Sequence, residues 1–386
     1  MEGKSRLSAR RILVLEPFFG GSHRAFVEGL ARHSAHRIDR LTLPPALWKW
    51  RLRAAALTLA ERARRRPRPD LILASSLLDA AHLRALLGDA SPPLAAYFHE
   101  SQLGYPRPEG KGADVHLAIV NVASALAADR VLFNSAFHRA DFLSRVPVLL
   151  RALPPPRPRR TAAAIRRRSV VLHPGVDLPP TPADRPPGAP PIILWNHRWE
   201  FDKDPDGFFR VCDQLRERRL PFRLVLLGES QQFVPKPFLA ARERLGAQIL
   251  HCGFVPSRAR YHGWLARADL VISTAVHENF GIAVVEAIAS GCYPLLPNAL
   301  AYPELLPARL HARHLYQGLP DLIERSAALL RNPARLAEGR AERRRAVERF
   351  AWERMVGRYD RLFSGLTGSA RAKRGRARRG ASPWTR

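Results

Sequence analysis

Acid is scarce in this chain. Its 386 residues carry 63 Lys and Arg against 34 Asp and Glu, a formal net charge of +29. Such an excess favours a polyanionic partner, either nucleic acid or an anionic membrane face. Lysine is scarce as well, with six among the 63 basic residues. A codon bias toward Arg accounts for that replacement but not for the missing acid. The three cysteines, Cys212, Cys252 and Cys292, lie far apart and outside any CxxC pair, which excludes a disulfide framework and a cysteine zinc site. No apolar run approaches the roughly eighteen residues of a membrane span. The start, MEGKSRLSARRILVLEPFFGG, has a short apolar stretch that ends in a glycine turn rather than a cleavage site, so it reads as the first strand of a cytoplasmic protein.

What is present is a repeated α/β pattern. The stretch at 11–16, then PDLILASS (69–76), PLAAYFHES (93–101), DRVLFNS (129–135) and SVVLHPGVD are apolar strands that end in polar residues, separated by Ala- and Leu-rich helical segments. Strand ends of this kind are where parallel α/β sheets hold ligands. LPPPRPRRTAAAIRRR (153–168) is rich in Pro and Arg and is expected to be an exposed, mobile loop. After the Pro-dense linker at 179–191 a second series begins: PIILWNHR (191–198), FRLVLLGES (222–230), AQILHCGFV (247–255), ADLVISTA (268–275) and CYPLLP (292–297). The expected organisation is therefore an α/β domain at 1–178 and a second at 192–345, with a closing helix at 346–364. Residues 365–386, with seven basic residues and no acid, make a basic tail expected to be disordered. The excess charge falls mostly on residues 1–178, which hold 29 basic and 14 acidic residues.

Two glutamates, Glu278 and Glu286, stand in the otherwise apolar HENFGIAVVEAIASGCYPLLP. Unpaired carboxylates are costly in a core, so these are expected to face a ligand or partner. On a helix they would be separated by about 12 Å of axial rise, too far for a carboxylate dyad. That spacing suits a ligand with hydroxyls at both ends and an anion between them, which the backbone N–H groups of Phe280, Gly281 and Ile282 at a helix start would receive. Arg198 and Lys203, in NHRWEFDKDP, supply cations for a diphosphate. A nucleotide sugar has this layout.

The order R-x4-K, then E-x7-E, then a small-residue helix and Gly resembles the retaining glycosyltransferases of the family four class. Their GT-B fold sets two Rossmann-like α/β domains facing across a cleft. In that class the cations hold the donor diphosphate, the first Glu faces the donor sugar and the second binds ribose. The resemblance gives these roles to Arg198, Lys203, Glu278 and Glu286. It also places His99 on the donor sugar and the purine on the loop Gly253, Phe254 and Val255; Gly21, in a turn at the ligand-binding edge of the first sheet, is a further donor-binding candidate. Transfer would keep configuration by a same-face displacement, with no metal required.

A finer resemblance runs along nearly the whole chain. EPFFGGSHRAFVEGL, LTLPPALWKWRLRAAAL, YFHESQLGYP, VLFNSAFHRADFL, ILWNHRWEFDKDPDGFF and ISTAVHENFGIAVVEAIASGCYPLLP are similar to the tRNA-queuosine α-mannosyltransferases. That family uses GDP-mannose and glycosylates queuosine at the tRNA wobble position. It implies an acceptor site on the first domain, for which His23, Trp48, Trp50, Arg51, Glu100 and Asn134 are the candidates. Ser101 departs from the Asn expected after YFHE, and the Arg-rich loop and tail are extra.

Several of these residues also have plainer readings. Gly20 and Gly21 could serve only a tight turn, and Trp48 and Trp50 could be helix packing instead of a base-stacking surface. The histidine pairs in HSAH (33–36) and HARH (311–314) lack a third ligand and are expected to be surface or capping residues, so no metal is assigned. Asp202–Asp213 nearly matches a calcium loop but has Asp at its twelfth position and Pro205 inside. Two rival functions remain. One is a transferase of the same fold that lies on anionic lipid through the basic, Trp-bearing helix at 48–66 and glycosylates a lipid or polysaccharide. The other is a non-catalytic RNA-binding protein.

Overall fold

The computed structural model describes residues 9–88, 91–106, 114–180, 188–228 and 234–380. These divide into two compact units. One holds the residues up to Gly175 together with those from Trp352 onward, and the other is Val176–Ala351.

The first unit alternates β1 (Arg11–Glu16), α1 (Gly21–His33), β2 (Arg37–Thr42), α2 (Trp48–Arg64), β3 (Leu71–Ser75), α3 (Ala80–Leu87) and β4 (Leu94–Phe98). It continues through α4 (Val115–Ala127), β5 (Arg130–Phe133), α5 (Ala136–Arg151), α6 (Thr161–Arg168) and β6 (Ser169–Val171). The strands form one sheet in the order β2-β1-β3-β4-β5-β6, with every pairing parallel. β3 and β4 are buried along their whole length, which explains their unbroken apolar runs: helices cover both faces of a parallel sheet.

The second unit begins with β7 (Ile192–Asn196), α7 (Pro205–Glu217), β8 (Arg223–Leu227), α8 (Lys236–Leu245), β9 (Ile249–Gly253), α9 (Arg258–Arg267) and β10 (Leu270–Ile272). It goes on through α10 (Ile282–Ala289), β11 (Tyr293–Pro297), α11 (Ala308–His314), β12 (Leu315–Tyr316), α12 (Gly318–Arg331), α13 (Ala334–Ala337) and α14 (Arg340–Glu348). Its sheet runs β12-β11-β10-β7-β8-β9, again parallel. The chain then returns to the first unit as α15 (Trp352–Gly380).

Trp352 anchors that return. It is buried with Phe26, Met355, Tyr359 and Phe363 in the core around β1, β3 and β4. A Cβ on either Gly29 or Gly175 would come within 2.1 Å of its indole, so the ring needs two positions without side chains. Asp360 completes the attachment, accepting from the Ser34 hydroxyl at 2.6 Å and the Ala35 amide at 3.0 Å.

Three expectations change, and a fourth falls mostly outside the described residues. The segment 153–168 is not loop throughout, because its Ala-rich half forms α6 with Thr161 and Ile165 buried. The tail does not begin as irregular chain at 365: α15 continues to Gly380, as the strong helix propensity of Ala, Arg and Lys allows, and 381–386 lie outside the described residues. The linker at 179–191 is described only at its ends. The histidine pairs are structural rather than superficial. His36 is buried against the Asp360 carbonyl, His314 is buried against that of Pro294, and His311 bonds the carbonyls of Pro303 and Leu306. Among the described residues no helix is long and apolar enough to cross a membrane.

Candidate active site

Each sheet has one place where the chain reverses its direction of travel, and several of the candidate residues lie beside it. In the second unit the chain leaves β7 for β8 and β9, then crosses back to β10, so β7 and β10 flank the switch point. Loops at the carboxyl ends of such strands diverge and leave a crevice.

The loop after β7 carries His197 and Arg198, then a single 3-10 turn, Phe201–Lys203. Asp204 follows in the left-handed region (φ 46°) and caps α7 by accepting from the Gly207 amide at 2.9 Å. This loop is tied to the one after β10. The amides of Val276 and His277 donate to the Asp202 carbonyl at 2.9 and 3.2 Å. The Thr274 hydroxyl lies 3.0 and 2.8 Å from the carbonyls of Lys203 and Asp204. His197 is packed from below at Gly228 (φ 118°), where a Cβ would stand 2.1 Å from the His197 carbonyl oxygen.

Lys203 is buried, and its ammonium has three anionic or polar neighbours. It donates to the His277 carbonyl at 2.6 Å and pairs with Asp202 at 3.1 Å and Glu278 at 3.3 Å. The other oxygen of Glu278 accepts from the amides of Asn279 (3.0 Å) and Phe280 (3.2 Å). Burial alone would push the Glu278 carboxyl up, but the Lys203 charge, the His197 ring and the Phe280 amide together hold it down at about 2. Burial and the same lysine push His197 down to about 4, so it is neutral at pH 7. Arg198 is exposed beside this group.

Glu278 does not share a helix with Glu286. α10 starts at Ile282, after Gly281 turns the chain at φ 94°, so Glu278 lies in the preceding loop and the helical separation does not apply. Phe280 and Gly281 are buried and Ile282 is half-buried. Glu286 is buried on α10, with one oxygen 2.5 Å from the Arg258 guanidinium and the other 2.9 Å from the Tyr261 hydroxyl. The neighbouring loop presents Gly253 (φ 140°) at the end of β9, then Phe254, which is 56% exposed, and the buried Val255.

In the first unit the switch point lies between β1 and β3. Glu16 ends β1, buried, with one oxygen accepting from the Phe18 amide at 2.9 Å and the other 3.0 Å from His23 Nδ1 on α1. The His23 ring lies 4.1 Å from that of His99, which follows β4. Burial, then the neighbouring His23 and His138, hold the His99 imidazole well below its ordinary value, so it is neutral. Asn134 follows β5, donating to the His99 carbonyl at 2.9 Å and bonding His138 Nδ1 at 2.7 Å. Ligand atoms of Glu16, His23 and His99 lie within 4.8 Å of one another, the one group of this kind among the described residues. A cation could be held there, although Glu16 is already bonded to the Phe18 amide and to His23. Glu100 is half-buried beside His99, and Gly21 is exposed as the first residue of α1.

The structure thus brings together Lys203, Glu278 and Arg198 at the adjoining ends of β7 and β10, Glu286 with the Gly253–Val255 loop nearby in the same unit, and His23, His99 and Asn134 in the other. Trp48, Trp50 and Arg51 open α2. Trp50 is 69% exposed, whereas Trp48 and Arg51 are half-buried. Sequence reasoning missed Glu16, His197, Asp202, Arg258 and Tyr261. Asp202 and His197 could have been found beside the R-x4-K pair; Tyr261 carries no local signal.

Two parallel six-stranded sheets of this kind define the GT-B fold. The fold is shared with a sucrose-phosphate synthase from Thermosynechococcus elongatus (TM-score 0.74, 16% identity, 93% of this chain and 100% of that one). It is shared too with HepE of Anabaena in complex with UDP and glucose (TM-score 0.68, 17% identity, 92% and 99%). Residues 11–176 match the N-terminal domain of tRNA-queuosine alpha-mannosyltransferase, and residues 182–346 match the glycosyl transferases group 1 domain. The tRNA-queuosine alpha-mannosyltransferase of Drosophila melanogaster is 37% identical over 308 residues, covering 77% of this chain and 81% of its own. The chain belongs to the tRNA-queuosine alpha-mannosyltransferase family. A GDP-mannose-dependent alpha-(1-6)-phosphatidylinositol dimannoside mannosyltransferase of Mycobacterium tuberculosis is 29% identical over 168 residues, 43% of this chain and 42% of that one.

Proposed function

We propose that this glycosyltransferase moves mannose from GDP-mannose to the cyclopentenediol of queuosine at the wobble position of tRNA, in the cytoplasm. The observation that carries the reading is the 37% identity to the Drosophila enzyme over four-fifths of that enzyme's length. The charge of +29 fits a tRNA substrate, because lysine and arginine side chains gain affinity by releasing the phosphates' counterions.

On the donor side, Arg198 and Lys203 receive the diphosphate and stabilise the charge that develops as it leaves. Lys203 must exchange one of its present partners to do so, and Asp202 or Glu278 is the partner released. The backbone at Phe280, Gly281 and Ile282 adds donors at the start of α10. Glu278, held as a carboxylate, faces the sugar, Glu286 takes the ribose hydroxyls, and the Gly253–Val255 loop takes the base. The departing phosphate oxygen helps remove the proton of the incoming hydroxyl on the same face of the sugar, so retention needs no protein nucleophile. On the acceptor side, His99 orients the donor sugar with Gly21 beside it. His23, Glu100 and Asn134 border the acceptor diol, and Trp48, Trp50 and Arg51 meet the RNA.

A lipid acceptor is the second reading, favoured by the lipid-named relative and the exposed Trp50 on a basic helix. The test offers GDP-mannose, labelled in the sugar, with either total tRNA or a lipid extract. Label is expected in the tRNA; label in the lipid alone overturns the acceptor assignment.

A further inference from the structure

The carboxylate of Glu286 is 4% exposed, and a buried carboxyl tends to take up a proton. A neutral carboxyl would serve a diol poorly, because one of its oxygens becomes a donor and its charge is lost. Two residues of α9 oppose this. Arg258 and Tyr261 are three apart, on one face of the helix, and each reaches a different oxygen of Glu286. A carboxylate oxygen has two lone-pair directions, so one on each oxygen is left for a further donor. α9 is itself fixed at its first turn, where the Ser257 hydroxyl accepts from the Arg260 amide. The Arg258 guanidinium also reaches the Asp177 carbonyl at 3.3 Å and lies over the Tyr261 ring.

We propose that Arg258 and Tyr261 are positioning residues that hold Glu286 as an oriented carboxylate for the 2′- and 3′-hydroxyls of a nucleoside diphosphate. This rests on the reading of Glu286 as the ribose ligand. Burial raises the Glu286 carboxyl above its usual value, with Asp177 acting the same way, while Arg258 and Tyr261 oppose them. Without the guanidinium the carboxyl rises further. Nucleotide affinity, which needs the anion, then fades at a higher pH as the solution is acidified.

The test is calorimetric titration of the full-length protein with GDP and with 2′-deoxy-GDP, across about pH 5 to 8. The proteins are wild type, Arg258→Met, Tyr261→Phe and Glu286→Gln. Wild type is expected to prefer GDP. Arg258→Met should weaken GDP by about tenfold or more, the range for a hydrogen bond to a charged group. It should weaken 2′-deoxy-GDP much less and move the acid limb of the profile to higher pH. Tyr261→Phe, which removes one hydroxyl, should reduce the same preference even if Arg258→Met fails to fold. Equal losses for the two nucleotides, or no loss, would overturn the proposal and leave the pair as structural support for α9. An unchanged GDP affinity in Glu286→Gln would instead refute the ribose assignment itself.

Discussion

Between Lys203 and two backbone amides, the Glu278 carboxylate is held ionised well below its ordinary pKa. A folded-state value near 2 against the usual 4.5 stabilises the folded chain above about pH 4.5, and that contribution is lost as pH falls toward 2. Glu278→Gln is expected to lack this component, so its denaturant midpoint should fall less steeply than wild type across that window. Parallel acid limbs in the two proteins would contradict the assignment. Arg198 presents the exposed cation of the site. Arg198→Ala is expected to lose about a hundredfold or more in turnover, as removal of one preorganised donor does elsewhere, and activity should survive EDTA. A strict divalent-metal requirement, measured by steady-state transfer after chelation, would count against that division of labour. Arg198, Lys203, Glu278 and Glu286 stand out in the sequence as the local patterns R-x4-K and E-x7-E, and the structure sets Lys203 against Glu278. The partners that hold them are not legible. Arg258 and Tyr261 come from another helix, and nothing in RARYHGWL marks which side chains point at Glu286.

At the scale of elements, buried strands are readable and edge strands are not. β3, β4 and β7 are continuous apolar runs because both faces are covered. β2 reads RIDRLT, mostly half-exposed at the sheet edge, and β12 has two residues, so neither shows a strand pattern. Composition misleads at 161–168, where the arginines of α6 face solvent while Ile165, with Ala162 and the buried Thr161 beside it, seats the helix in the core. The loop carrying Glu278 mimics a helix in sequence because its apolar residues continue those of α10; Gly281 breaks the helix between the two glutamates. α15 depends on one residue above others. Trp352→Ala should cost about 3–5 kcal/mol, the usual loss for a large core aromatic, because the space it shares with Gly29 and Gly175 has no side chain to refill it. Urea denaturation followed by circular dichroism measures this, and a loss under about 1 kcal/mol would mean that α15 is held elsewhere.

At the scale of the whole molecule the surplus of positive charge becomes the dominant property. Binding to tRNA should weaken steeply with salt, and removal of 368–386 should flatten the slope, since fewer neutralised phosphates release fewer counterions. An unchanged slope would place the phosphate-binding cations on other parts of the chain. Salt dependence reports affinity for a polyanion; specificity needs one exposed nucleotide with a diol that can accept the sugar. The most direct measurement therefore uses matched tRNAs with and without queuosine, incubated with GDP-mannose, digested and weighed as nucleosides. The account predicts that both tRNAs bind and that a hexose increment appears on queuosine alone. A queuosine nucleoside of unchanged mass, while the protein transfers mannose to another acceptor, would contradict it.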